Sequence, residues 1–358
     1  MPIFPWGLPS IIAGKGHPVK SSSLARTQRR LIVTVLIFFL TGAAMPALSL
    51  VLDNPMGDGN LEPPEPDPGW DHVVQHLGVP SAVYLGCRWI LTTQHVGVTI
   101  LTMEGERLNP VPGSVHKIQN PDGRPTDLVL YQVDRDPGLP SLRIPARSAR
   151  IGQKATLIGF GSSRGASLTV DFPQHGLLDG YSWKKDNKKR WGTNRFSAAP
   201  KFVDVGKEDG RTLAIPLMYD PLDYIEATRH EAAAAFGDSG GAVFADLDPV
   251  FPERGTALFG LIFSVSSFAS QPKNSSFYGN VTWAADLSYY RDAIIEAIDG
   301  KPLEAESQAE PWGPTCPSLS GTREPKPASY NLLLIVLGTL FVAASLAAIW
   351  SGRNRSTG

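Results

Sequence analysis

The chain has few cysteines and almost no net charge. Cys87 and Cys316 are its only cysteines in 358 residues, so one disulfide is the most it can form. The pair can bridge in an oxidising compartment, although Cys316 lies in a tail that reads as flexible. With 33 basic and 34 acidic residues the formal charge is −1, which excludes a strong bias toward nucleic acid or acidic partners. The basic run Lys184–Trp191 contains an aromatic, but one such cluster in a neutral chain reads as a solvated loop or the rim of a cleft. No nucleic-acid partner is expected. Metal-ligand spacing is equally scarce. Asn54, Asp58, Gly59, Asn60 and Glu65 partly match a calcium loop, but Met56 stands where a ligand is needed and no helix flanks the stretch. No metal or cofactor is expected.

Glycine (35) and proline (31) are abundant, as in an all-β protein with many turns, and 42% of residues are hydrophobic. The stretch from Gly78 to Asp299 is long enough for one sizeable core or two small barrels.

Long apolar runs occur only near the ends. Arg26, Arg29 and Arg30 precede Leu31–Leu40, which is followed by small residues through Ala47-Leu48-Ser49. Positive flank, short apolar core and a plausible cleavage site describe a secretory signal over 1–49. The alternative is an uncleaved anchor, since Leu31 to Leu52 carries no charge. Residues 50–72, rich in Pro, Gly and acidic residues, read as an exposed linker. At the other end, 299–330 reads as a Pro-rich linker, 331–350 has membrane-spanning length, and the basic tail 351–358 favours the cytoplasmic side. The bulk of the chain is then exported, held by a C-terminal membrane segment or released after tail processing.

The chemistry concentrates in Gly237-Asp238-Ser239-Gly240-Gly241, set inside the apolar run Ala232–Phe244. A serine framed by glycines on a tight turn can expose its hydroxyl and leave neighbouring N–H groups free, as a nucleophile with an oxyanion hole requires. Upstream, Ser81–Val96 places two apolar segments before Thr92-Thr93-Gln94-His95, and Asp127 opens the apolar strand Asp127–Val133. Asp122 competes with Asp127 but sits in a turn, and Asp134 and Asp136 follow the strand.

These segments, in the order His95, Asp127, Ser239, resemble the trypsin-like (chymotrypsin-fold) serine proteases over roughly residues 73–298. Thr93 and Gln94 replace the two alanines usual before the histidine. Gly159-Phe160-Gly161 resembles the Gly-Trp-Gly that opens the family's second barrel, and Leu287–Ile298 its C-terminal helix. The resemblance implies an all-β fold of two antiparallel six-stranded barrels, about 73–147 and 151–285, with a helix over 287–298. The absence of a second cysteine near the histidine leans toward the bacterial exported members. It also implies roles. His95 is the base, Asp127 its orienter, Ser239 the nucleophile, and the Gly237 and Ser239 N–H groups the oxyanion hole. Asp238 holds the loop in its active shape; no Ile-Val-Gly-Gly-like start precedes Val79, so its partner is open. Ala233 stands where trypsin-type enzymes carry an aspartate at the pocket base, and Ser264 and Val265 fall on the pocket wall. An uncharged substrate side chain is therefore expected, unless Glu231 reaches in. The substrates implied are proteins or peptides. Two other readings stay open: a catalytically silent protease fold used for surface binding, and an esterase using the same triad.

Overall fold

Runs of β-branched, aromatic and leucine residues between glycine and proline turns fold as strands. The computed structural model describes residues 50–53, 59–78, 80–186, 188–206, 210–300 and 310–316. The signal region, Asn54, Met56 and Asp58, the apolar segment 331–350 and the basic tail all lie outside the described residues. Among the described residues, no helix is long and apolar enough to cross a membrane.

In chain order the strands are β1 (Val51–Asp53), β2 (Val73–His76), β3 (Ser81–Gly86), β4 (Trp89–Thr93), β5 (Leu101–Met103), β6 (Glu106–Leu108), β7 (His116–Gln119), β8 (Pro125–Gln132), β9 (Lys154–Gly159) and β10 (Ser163–Phe172). They continue as β11 (Gly176–Lys184), β12 (Arg190–Arg195), β13 (Lys201–Asp204), β14 (Arg211–Met218), β15 (Glu231–Ala233), β16 (Ala242–Asp246), β17 (Thr256–Ser266), β18 (Ser275–Phe277) and β19 (Val281–Asp286), and end in helix α1 (Leu287–Asp299). The first sheet runs β6-β5-β2-β3-β4-β8-β7 and the second β1-β15-β12-β9-β16-β17-β19-β14-β13. A third, β10-β11-β18, is linked to the second by the isolated parallel bridge Leu50↔Ser163.

This corrects the expectation of two closed six-stranded barrels. Neither large sheet closes into a continuous ladder. Isolated bridges, Pro110↔Val133 in the first and Phe196↔Leu217 in the second, mark the seams instead. Proline at 110 lacks the N–H that would extend the first ladder. The long hairpin β10–β11, inside the range assigned to the second barrel, pairs with β18 rather than with the main sheet.

Alternate residues of the first sheet enter different cores. Val83, Leu85, Leu91, Leu128 and Leu130 join a cluster shared with Ile158, Phe244, Leu258 and Trp283 of the second sheet. Tyr84, Ile90 and Tyr131 pack with Val74 and Leu101 inside the first sheet alone. Leu157, Ile215, Val243 and Phe259 fill the second. Each such side chain, fully buried, contributes about 1.5–3 kcal/mol, so a one-residue register slip would be severe.

Two segments read as solvated are built into the body. Residues 50–53 belong to the sheet, not to an exposed linker: Val51 pairs with Ala233 and Leu52 with Ala232, and all of Leu50, Val51 and Leu52 are fully buried. Their apolar faces meet the small alanines of β15, a match hidden by the polar residues that follow. In the basic run, Arg190 is wholly buried and donates from Nε to Gly59 O at 2.9 Å, while Lys189 Nζ donates to Trp70 O at 2.8 Å.

α1 begins where Asp286 accepts a hydrogen bond from Ser288 N–H and ends at Gly300, left-handed at φ 73°. It lies one residue longer than the spacing predicts and buries Leu287, Tyr290, Ile294 and Ile295.

Candidate active site

β4 ends at Thr93, opposite Leu128 of β8, so the next residues turn over the start of β8. Gln94 N–H donates to Asp127 O (3.0 Å) and its side-chain amide to Thr126 O (2.6 Å). The glutamine thus fastens this corner where a small residue was expected. His95 follows. Its Nδ1 lies 2.6 Å from Asp127 Oδ2, and its backbone N–H donates to Asp127 Oδ1 at 3.0 Å. With Asp127 ionised, that bond puts the imidazole proton on Nδ1 and leaves Nε2 free to accept. Asp127 is buried, its N–H donating to Thr212 Oγ1 of β14 (2.9 Å), whereas the His95 side chain is 48% exposed to solvent. The competing aspartates are occupied elsewhere: Asp122 with Arg211 and Arg124, Asp134 with Asn109, and Asp136 with the Tyr84 hydroxyl.

Ser239 occupies the turn between β15 and β16. Gly240 N–H donates to Ile262 O and Gly241 N–H to Asp238 O, closing the turn. Ser81 N–H of β3 donates to Ser239 O (2.9 Å), tying the turn to the first sheet. Gly240 is obligatory: its φ is +82°, and a Cβ there would stand 1.9 Å from Ser81 O. Among the described residues, the N–H groups of Gly237 and Ser239 donate to no protein acceptor, and no hydrogen bond joins Ser239 to His95. The structure therefore joins His95 to Asp127 directly. It ties Ser239 to the same sheet through Ser81, whose O accepts from Thr92 Oγ1 three residues before His95.

Asp238 is fully buried. Its carboxylate accepts from Ala235 N–H (2.9 Å) and Gly161 N–H (2.8 Å). Burial pushes its pKa up to about 7, opposed by those two bonds and by the nearby charge of Arg190. Arg190 Nη1 also lies 3.5 Å from Asp186 Oδ2, and burial pushes that carboxyl up to about 6. The hydrogen-bond partners of the Asp238 carboxylate are these two backbone N–H groups, with the charge of Arg190 acting from nearby. Glycines at 159 and 161 make room for this seat: a Cβ would come within 2.2 Å and 2.6 Å of the Asp238 side chain.

Beside Ser239 lies a cavity of about 160 Å3 lined by Ser264, Val265, Ala234, Ala235, Phe236 and Trp183. Ala233 instead lines an adjoining cavity of about 170 Å3. No acidic residue lines either. Glu231 does not reach in, because Thr228 N–H and Oγ1 hold its carboxylate at 2.8 and 2.7 Å. Burial pushes Glu231 up to about 7. Sequence reasoning missed Thr212 and Trp183. The first is one of many strand threonines, while the second sits in a polar hairpin, where only the alternation Tyr181, Trp183 marks an inward face.

Among the described residues no three His, Cys, Asp or Glu side chains gather to hold a metal ion. Asn60, from the calcium-like stretch, donates to Trp191 O. Cys87 and Cys316 are both disulfide-bonded.

No known family's sequence model matches the chain, and no curated protein matches it. Similar solved structures include an inactive serine-to-alanine mutant of Rv3671c from M. tuberculosis H37Rv (11% identity, 66% of this chain and 91% of that one, TM-score 0.38). Neuropsin, a serine protease expressed in the limbic system of mouse brain, is 15% identical over 64% of this chain and 95% of its own, TM-score 0.40. Kallikrein-related peptidase 10 in complex with Zn2+ is 14% identical over 65% and 97%, TM-score 0.37.

Proposed function

We propose that the chain is a serine endopeptidase exported from the cytoplasm, with His95, Asp127 and Ser239 as its triad. The observation that carries this reading is the 2.6 Å bond from His95 Nδ1 to Asp127, beside a glycine-framed serine turn with two unengaged N–H groups. In this mechanism His95 Nε2 takes the Ser239 proton as Oγ attacks the substrate carbonyl carbon. The C=O pair moves onto oxygen, where Gly237 and Ser239 N–H groups stabilise it; losing one such donor typically costs about 100- to 1,000-fold in rate. Collapse expels the amine, which receives the proton from His95. Water, deprotonated by His95, then releases the acyl group and regenerates Ser239. Asp127 keeps the imidazole in the required tautomer throughout. Asp238, seated by Gly161 and Ala235, holds the turn. The pocket of Ala234, Ala235, Ser264 and Val265 favours an uncharged side chain before the scissile bond, because a buried cation would find no carboxylate there.

Oxidised cysteines suit a compartment outside the cytoplasm. The secretory-type start and the apolar segment 331–350 complete the reading of an exported chain anchored by its tail or released from it. The deciding experiment is fluorophosphonate labelling with peptide hydrolysis. A silent surface-binding fold takes no label, and an esterase takes it but turns over only esters.

A further inference from the structure

β11 delivers Trp183 to the back of the site. Its N–H donates to Asn274 O (2.7 Å), and its indole Nε1 donates to Ser276 Oγ (2.8 Å). Ser276 is 2% exposed on β18, so a buried hydroxyl of the third sheet holds the edge of the indole. The ring packs against the cluster of Val51, Tyr181, Tyr219, Ala233 and Ala235.

The two cavities described above share three lining residues: Trp183, Ala234 and Val265. Alanine presents only a methyl and valine an isopropyl group. Of the three side chains lining both spaces, the indole is by far the largest. Ser239 lines the front one, of about 160 Å3, and the rear one, of about 170 Å3, is lined by Ala233, Gln271, Lys273 and Asn280. A cavity of about 150 Å3 is enough for one benzene ring. The front space alone therefore suits an aliphatic or single-ring side chain, and a bicyclic one needs both.

We propose that Trp183 is the specificity-determining partition of this pocket, setting its depth and excluding bicyclic side chains from the position before the scissile bond. This rests on the peptidase reading above, with Ser239 as nucleophile. The third sheet, which contributes nothing to the triad, thereby acquires a role: it aims the indole.

The test compares the wild-type chain with Trp183→Ala on peptides differing only at that position, carrying Ala, Val, Leu, Phe or Trp. Wild type is expected to disfavour Trp against Leu in kcat/KM by tenfold or more. In Trp183→Ala that ratio should rise by about tenfold or more, the scale on which pocket volume discriminates. Trp183→Phe should fall between them and serves if the alanine variant does not fold. A second readout needs no turnover: indole itself, added to the protein, should raise the Tm of Trp183→Ala and leave wild type unmoved. An unchanged ratio in a folded variant overturns the partition, even if indole binds. If wild type cleaves none of the peptides, the peptidase reading falls; indole stabilisation of the variant alone then still supports the partition, and its absence overturns it.

Discussion

At the scale of single residues, chemistry and support are separable. Ser239→Ala should abolish fluorophosphonate labelling and peptide turnover without moving Tm, since Ser239 Oγ makes no hydrogen bond among the described residues. Asp127→Asn should lower kcat by about ten-thousandfold, because an amide N–H donating to His95 Nδ1 favours the tautomer that leaves Nε2 protonated and unable to act as a base. Gly240→Ala is different in kind. The missing 1.9 Å clearance to Ser81 O means the turn itself must move, so activity and stability should fall together, with a Tm loss readable by calorimetry. The carboxyls in the support have a pH signature. Glu231, pushed up to about 7 by burial, binds a proton more tightly in the folded chain than in the unfolded one. Its contribution is greatest at low pH and is lost as pH rises from the unfolded value of 4.5 through about 7. Glu231→Gln should therefore flatten the decline of Tm between those limits; an unaltered slope would count against the burial argument.

At the scale of elements, the main devices are short strands that reach far. β1 lies at the edge of the second sheet, yet Asp53 accepts from the hydroxyls of Tyr181 (3.1 Å) and Tyr278 (2.8 Å) and from Leu222 N–H. These residues surround β15, which leads directly into the pocket wall and the Ser239 turn. Asp53→Ala would leave one hydroxyl of the Tyr181–Tyr278 pair short of an acceptor, an effect of about 1–3 kcal/mol by denaturant titration, and should lower kcat more than it raises KM. Parts of the candidate site were legible before the fold: the glycine frame of Ser239, the pairing of His95 with Asp127 at the head of β8, and, beyond the site, the C-terminal helix from Leu287. What escaped has a physical reason. β1 and the Arg190 seat are made by partners more than a hundred residues away, and local polarity around them reads as solvent-exposed. Trp183 was hidden in the same way, by the lysines beside it. The seams of the sheets were invisible because pairing across them is confined to single bridges.

At the scale of the whole molecule, the proposed export and anchoring give a topology that can be read directly. Protease added outside intact cells should digest residues 50–316 while sparing a tag placed after Arg355. An uncleaved chain with that tag accessible from outside would defeat the anchor reading, whereas a shortened, released chain would favour tail processing. The pairing of β1 with β15 also has a kinetic consequence. Val51 and Ala233 are partners roughly 180 residues apart in the chain, and closing so long a loop is slow compared with forming hairpins such as β10–β11. The strand that leads into the Ser239 turn gains its outer neighbour only after this loop closes. On refolding from denaturant, strand content should therefore return in an early phase, and reactivity of Ser239 toward fluorophosphonate in a later one.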